Sequence, residues 1–168
     1  MAKIALVING KGGVGKDTLC ELARKHYKVY NISSVDPIKA IARECGWDGR
    51  KDDKSRRFLS DLKALTVAYN DFPTVWAKER YLGFLKSEDE IMFLHIREPK
   101  EIEKFVSATG GEAKTLLIRG GDRMNKGVYG NASDDNVEDY AYDYYFTNDK
   151  SLEEAERDFC AMLASIME

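Results

Sequence analysis

Gly10-Lys11-Gly12-Gly13-Val14-Gly15-Lys16-Asp17-Thr18 follows directly on the apolar run Ile4-Ala5-Leu6-Val7-Ile8, and its spacing, G-x-x-x-x-G-K, decides the reading of the whole chain. Glycines at these places let backbone N–H groups curl around a polyphosphate, and the lysine that follows reaches the terminal phosphates. Thr18-Leu19-Cys20-Glu21-Leu22-Ala23-Arg24 reads as a helix opening at about Lys16. Its free N–H groups and dipole add to an anion site. Strand, loop and helix thus stand in the order that a phosphate loop requires.

Outward from this unit, short apolar, β-rich runs recur at 4–9, 28–33, 91–97, 113–119 and 143–148, and predict five strands. Helical patterns lie between and after them at 17–26, 37–45, 55–70, 73–86, 99–108 and 151–167. The alternation predicts an α/β fold, a five-stranded parallel sheet with helices on both faces, with ligands at the carboxyl ends of the strands. In the last helix Leu152, Ala155, Phe159, Leu163 and Ile166 recur at three- and four-residue intervals and read as core. Only 120–139, rich in Gly, Asn and Asp, lacks a clear pattern; a loop that long inside one domain is functional or disordered.

The 168 residues fit a single domain, 1–168, and 43% hydrophobic content suffices for a core. The net charge of −3 gives no global attraction to nucleic acid polymers or to an anionic membrane, so phosphate binding has to be local. No apolar run approaches a membrane span, and Met-Ala-Lys-Ile leads into a strand; a cytoplasmic protein with no membrane partner is expected. Cys20, Cys45 and Cys160 have neither C-x-x-C spacing nor nearby histidines and read as reduced, mostly buried thiols.

Phosphoryl transfer asks a protein to hold two groups in line, cancel charge and exclude water, so cations should converge from several directions. Lys16 is the first of them. Lys11 either touches the γ-phosphate or is a surface lysine. Many such loops follow the lysine with a Ser or Thr that ligates magnesium; here Asp17 stands there and Thr18 is the available hydroxyl. After the second strand, Ser34 or Asp36 could cap the helix that Pro37 begins, and Asp36 and Lys39 fall near an acceptor. Arg56 and Arg57 follow a densely charged stretch, 47–57, that is either a solvated loop or the acceptor side of the site. Arg97, ending the third strand, reads as a phosphate contact or as an ion pair with Glu101, and His95 as a satisfied core histidine. Arg119, Arg123 and Lys126, interleaved with Gly120, Gly121, Gly127 and Gly130, suit a lid over about 119–135.

Together these parts resemble the P-loop nucleoside monophosphate kinases, most specifically the phage and bacterial deoxynucleotide monophosphate kinases. The resemblance rests on Gly15-Lys16-Asp17-Thr18, on Ser34-Val35-Asp36-Pro37-Ile38-Lys39, on Arg97-Glu98-Pro99-Lys100-Glu101-Ile102 and on 131–149, in the family's order. It implies ATP and Mg2+ as cofactors and a small phosphorylated acceptor as substrate. The loop 10–18 and the segment at Asn148 and Asp149, beside the donor base, would bind ATP. Asp17 and Thr18 would serve the metal. Ser34, Asp36, Lys39, Arg56 and Arg97, from a helical region at about 36–86, would face the acceptor, with Lys16, Arg97, Arg119 and Arg123 carrying catalysis. Where related kinases often have an acidic residue before the arginine, Ile96 stands here.

Lys11-Gly12-Gly13-Val14-Gly15-Lys16 also resembles the signature-lysine loop of the chromosome-partitioning and septum-positioning ATPases, which are dimeric switches. Asp17, in place of their Ser or Thr, and the short chain point away from them. An inactive nucleotide-binding regulator on the same fold is a third reading, and the oligomeric state stays open.

Overall fold

The computed structural model describes residues 2–120 and 136–168. Its center is a parallel sheet of five strands: β1 (Ile4–Gly10), β2 (Val29–Ser33), β3 (Ile91–His95), β4 (Lys114–Gly120) and β5 (Tyr144–Asn148). In space they run β2-β3-β1-β4-β5. β1 is therefore central, with β3 on one side and β4 on the other, and the loop that follows it emerges where the strand order reverses. Register aligns the strand ends: Ile8 lies beside His95, His95 beside Ser33, Gly10 beside Ile118, and Gly120 beside Asn148.

Among the described residues the helices are α1 (Lys16–Arg24), α2 (Asp36–Glu44), α3 (Asp53–Asn70), α4 (Phe72–Lys86), α5 (Pro99–Ala108) and α6 (Leu152–Met167). Sequence and structure agree on the elements and differ at their ends for local reasons. β3 stops at His95 rather than Arg97 because Glu98 precedes Pro99 and turns extended into the first turn of α5. α3 starts two residues early because Asp52 caps it, accepting from the Ser55 N–H at 2.8 Å. Ser151 caps α6, its Oγ accepting from the Glu154 N–H at 3.3 Å and donating to the Glu154 carboxylate at 3.2 Å. Residues 137–139, read as loop, form a short 3-10 turn.

An apolar strand with no polar alternation needs cover on both faces, and β1 has it. Ala5 and Val7 pack with Met92 and Leu94 under Ala77, Tyr81 and Phe84 of α4 and Ile102 and Phe105 of α5. Leu6 and Ile8 pack with Phe93 under Leu19 and Ala23 of α1 and Ala155, Phe159 and Leu163 of α6. Burying a large apolar side chain in this way contributes about 1.5–3 kcal/mol. One residue of the expected α6 stripe stays out: Leu152, at the first helical position beyond the cap, is 66% exposed. Of the cysteines, Cys20 is buried, Cys160 half-buried and Cys45 exposed, so the expectation of mostly buried thiols holds for Cys20 alone.

Candidate phosphate-transfer site

The loop takes its shape from glycines at two positive-φ positions, Gly13 at 83° and Gly15 at 84°, where a side chain would be strained. Val14 between them is buried, and its carbonyl accepts from Nδ2 of Asn148 at 2.8 Å. Gly10 has a different reason to be glycine. A Cβ there would lie 2.8 Å from the Ile118 carbonyl oxygen and 2.9 Å from Val14 Cγ2. Its N–H is held by its neighbor's side chain, Asn9 Oδ1, at 2.9 Å, so Gly10 shapes the loop rather than offering it a donor. Lys11, Asp17 and Thr18 are exposed, and Lys16 opens α1.

Beside this loop a cleft of about 560 Å³ opens across the ends of β1, β3 and β2. Lys16 and Asp17 enter from α1, Ser34, Asp36 and Lys39 from the β2 end and α2, Arg97 and Glu98 from beyond β3, and Lys63 from α3. Four cations from four elements thus face one cavity in a chain of net charge −3. Of the cations named from sequence, Lys16, Lys39 and Arg97 line this cleft, whereas Lys11, Arg56 and Arg119 do not. Arg56 is exposed on α3 and absent from the lining, whereas Lys63, seven residues on and roughly 10 Å further along the same helix face, reaches the cleft. Its Nζ lies 3.0 Å from Glu101, so the carboxylate considered for Arg97 is engaged by Lys63. The period of α3 could have suggested Lys63, but only the packing of α3 on α2 and α4 shows which turn borders the cleft.

Neither Ser34 nor Asp36 caps α2 through its side chain: Asp36 is already helical, and its carboxylate accepts from the Ser33 N–H at 2.9 Å. Ser34 is buried and extends the sheet, its N–H donating to the His95 carbonyl at 3.1 Å. His95 is satisfied as expected, yet in the cleft wall rather than in the core. Its Nε2 lies 2.6 Å from Asn31 Oδ1 and its Nδ1 4.0 Å from Asp17. Burial, assisted by Lys16 and then by Arg97 against the opposing pull of Asp17, lowers its pKa to about 4. The neutral ring therefore donates from Nε2 to Asn31. Below it, burial and the Asp17 carboxylate push the Cys20 thiol up to about 12, which makes it inert.

On the other side of the loop a smaller hollow of about 110 Å³ lies among Lys11, Val14, Arg119 and Glu138. Arg119 belongs to β4, not to a lid. Its guanidinium bonds both oxygens of Glu138, at 2.8 and 3.1 Å, and lies 4.5 Å from the center of the Tyr145 ring. Those hydrogen bonds hold the Glu138 carboxyl below the usual carboxylate range. Asp149 follows directly on β5 at the same end of the sheet. Gly120 ends β4, and the other expected lid residues, including Arg123 and Lys126, lie outside the described residues.

Among the described residues no cluster of three or more His, Cys, Asp or Glu could cage a metal. Asp17, at the cleft mouth beside Lys16, and Glu98 across it offer single carboxylates instead. That set fits magnesium held mainly by phosphate oxygens and water. No helix among the described residues is long and apolar enough to cross a membrane.

No protein-family model matches the chain, and no curated protein matches it by sequence. Solved structures do. TT1252 from Thermus thermophilus superposes with a TM-score of 0.51 at 22% identity over 100% of both chains. Shikimate kinase from Aquifex aeolicus superposes with a TM-score of 0.53 at 9% identity, covering 97% of this chain and 98% of that one. At such identities what is shared is the fold, a P-loop kinase-like α/β sheet over nearly the whole chain.

Proposed function

We propose that this chain transfers the γ-phosphoryl group of ATP to a small phosphorylated acceptor. The observation that carries the reading is the cleft in which Lys16 of the loop faces Lys39, Lys63 and Arg97 across about 560 Å³. Hydrolytic switching needs a pocket for one nucleotide; a second cationic cavity in line with the loop suits a second anionic substrate. On this reading Gly12 to Lys16 cradle the ATP phosphates, and Asp17, with Glu98 opposite, orients the water shell of magnesium, whose charge offsets that of the phosphates. Lys39, Lys63 and Arg97 hold the acceptor phosphate, Arg97 through its two-pronged guanidinium. The Arg119 and Tyr145 surface on the far side of the loop, together with the turn at Asn148 and Asp149, suits the donor nucleoside.

The sequence resemblance favors a nucleoside or deoxynucleoside monophosphate as acceptor. One observation favors a second reading, a phosphorylated acceptor that carries no base. Among the described residues the cleft lining has no Phe, Tyr or Trp on which a base could stack; its one ring is His95, held by Asn31, and its apolar part is Ile32 and Val35. Shikimate kinase, with the same fold, is named for an acceptor without a base.

Screening nucleoside monophosphates against sugar and polyol monophosphates for ATP-dependent formation of a second phosphorylated product separates the two. ATP consumption that rises only with an added acceptor supports transfer. ATP turnover indifferent to every acceptor, but rising with protein concentration as dimers form, would replace it with the switch reading.

A further inference from the structure

Asn9 occupies the last inward position of β1, on the face where Ala5 and Val7 are core, and it is fully buried. An amide at a sheet-core position is costly unless every hydrogen bond it can make is made. Here the amide oxygen and both amide hydrogens are used. Oδ1 accepts from the Gly10 N–H at 2.9 Å, and Nδ2 donates to the Arg97 carbonyl at 3.0 Å and to the Tyr142 hydroxyl at 2.9 Å. Tyr142, also buried, passes its own hydroxyl hydrogen to the Val137 carbonyl at 2.8 Å. Asn9 thus touches the root of the phosphate loop, the peptide of the acceptor-side arginine and, through one hydroxyl, the turn that bears Glu138, partner of Arg119. These three places belong to three separate segments, the end of β1, the stretch between β3 and α5, and the 3-10 turn that precedes β5, and a side chain chosen only for packing would join none of them.

We propose that Asn9 is a positioning residue that couples the donor loop to Arg97 and, through Tyr142, to the 137–139 turn, so that filling the loop sets the place of both. The proposal rests on the reading of the loop as an ATP site. When a polyphosphate draws the loop N–H groups toward itself, any shift at Gly10 reaches Asn9 Oδ1, and the planar amide transmits it to the two groups that Nδ2 holds. The Arg97 carbonyl shares its peptide plane with the Glu98 N–H, and the Val137 carbonyl with the Glu138 N–H. Those two amides report the coupling directly.

The test titrates the magnesium complex of adenylyl imidodiphosphate into 15N-labeled protein. In the unaltered chain the Glu98 and Glu138 amide resonances should move with the same saturation as those of Gly15 and Lys16. Asn9→Asp keeps the oxygen toward Gly10 and loses the donor; the Glu98 shift should fall at least threefold while the loop still saturates. Tyr142→Phe removes one oxygen, so the Glu138 shift should fall at least threefold and the Glu98 shift persist. Should Asn9→Asp fail to fold, Tyr142→Phe decides alone. A loop that saturates while Glu98 and Glu138 stay silent, or variants whose shifts match those of the unaltered chain, overturns the coupling only. Silence at Gly15 and Lys16 as well overturns the ATP reading and the coupling with it.

Discussion

Asn148, at the end of the edge strand β5, donates its side-chain N–H to the carbonyl of Val14 at the crown of the phosphate loop, 2.8 Å away and 134 residues back in the sequence. The loop is thus held from the far side of the sheet as well as by its own strand. Asn148→Ala should cost about 1 kcal/mol of stability, the net worth of one such bond, a fall in Tm of roughly 2–4 °C for a domain of this size. Because the lost bond fixes the loop, affinity for an ATP analog should fall several-fold, measured by calorimetry beside thermal melts. Unchanged affinity would make the bond a matter of stability alone.

Gly10 tests the packing of the same loop. In Gly10→Ala the new methyl meets the Ile118 carbonyl oxygen, which is backbone of β4 and has no rotamer to move into. Overpacking of this kind costs about 1–3 kcal/mol. Chemical denaturation gives the value; a stability equal to that of the unaltered protein would mean that β1 and β4 can separate at no cost.

Lys16→Ala removes a preorganized charge aimed at the transferring phosphate and should cost about 3–4 kcal/mol of transition-state stabilization, a hundredfold or more in rate. Circular dichroism should show the fold intact, since Lys16 opens α1 at the surface. Near-normal turnover would remove Lys16 from the chemistry.

Lys63 and Arg56 separate two turns of α3. Lys63→Met should raise the acceptor KM about tenfold, the effect of a lost charge-assisted bond, and leave the ATP KM within about twofold. Arg56→Met should change neither, because Arg56 does not line the cleft. Glu101→Gln serves as control, since Lys63→Met also strips that half-buried carboxylate of its partner. An acceptor KM sensitive to Arg56 and indifferent to Lys63 would reverse the assignment.

His95 predicts a pH window. Its pKa is about 4 in the fold against 6.5 unfolded, so above pH 6.5 both states are neutral and the folded protein has its full stability. Between pH 6.5 and 4 the unfolded chain takes up a proton that the fold refuses. Stability is lost across that interval, by on the order of 3 kcal/mol in all, with nothing further from this group below it. Denaturant unfolding of metal-free protein should show the slope, and His95→Gln should flatten it. An NMR titration of the His95 ring with a midpoint near 6.5 would refute the prediction.

The division between what was legible and what was not follows the range of the interactions. Strands, helices and the loop were readable because their causes are local: apolar runs for β1 and β3, Pro37 and Pro99 at helix starts, Ser151 and Glu154 at the start of α6, glycines at 13 and 15. The parallel sheet followed from strand and helix alternating, Lys16 from the spacing of the phosphate loop, and Lys39 and Arg97 from lying just beyond strand ends, where such sheets place their ligands.

Tertiary structure decided the rest. Whether Arg56 or Lys63 enters the cleft depends on how α3 packs on α2 and α4, whether Arg119 faces Glu138 depends on how the chain returns after 135, and His95 finds Asn31 only because β2 lies beside β3. Asn9 read as one more residue of an apolar strand until the fold brought Arg97 and Tyr142, 88 and 133 residues away, onto its amide. Sequence periodicity records which face a residue shows, but not which distant residue waits there. A buried hydrogen bond is specified by both ends at once, and only the closed sheet brings both ends together.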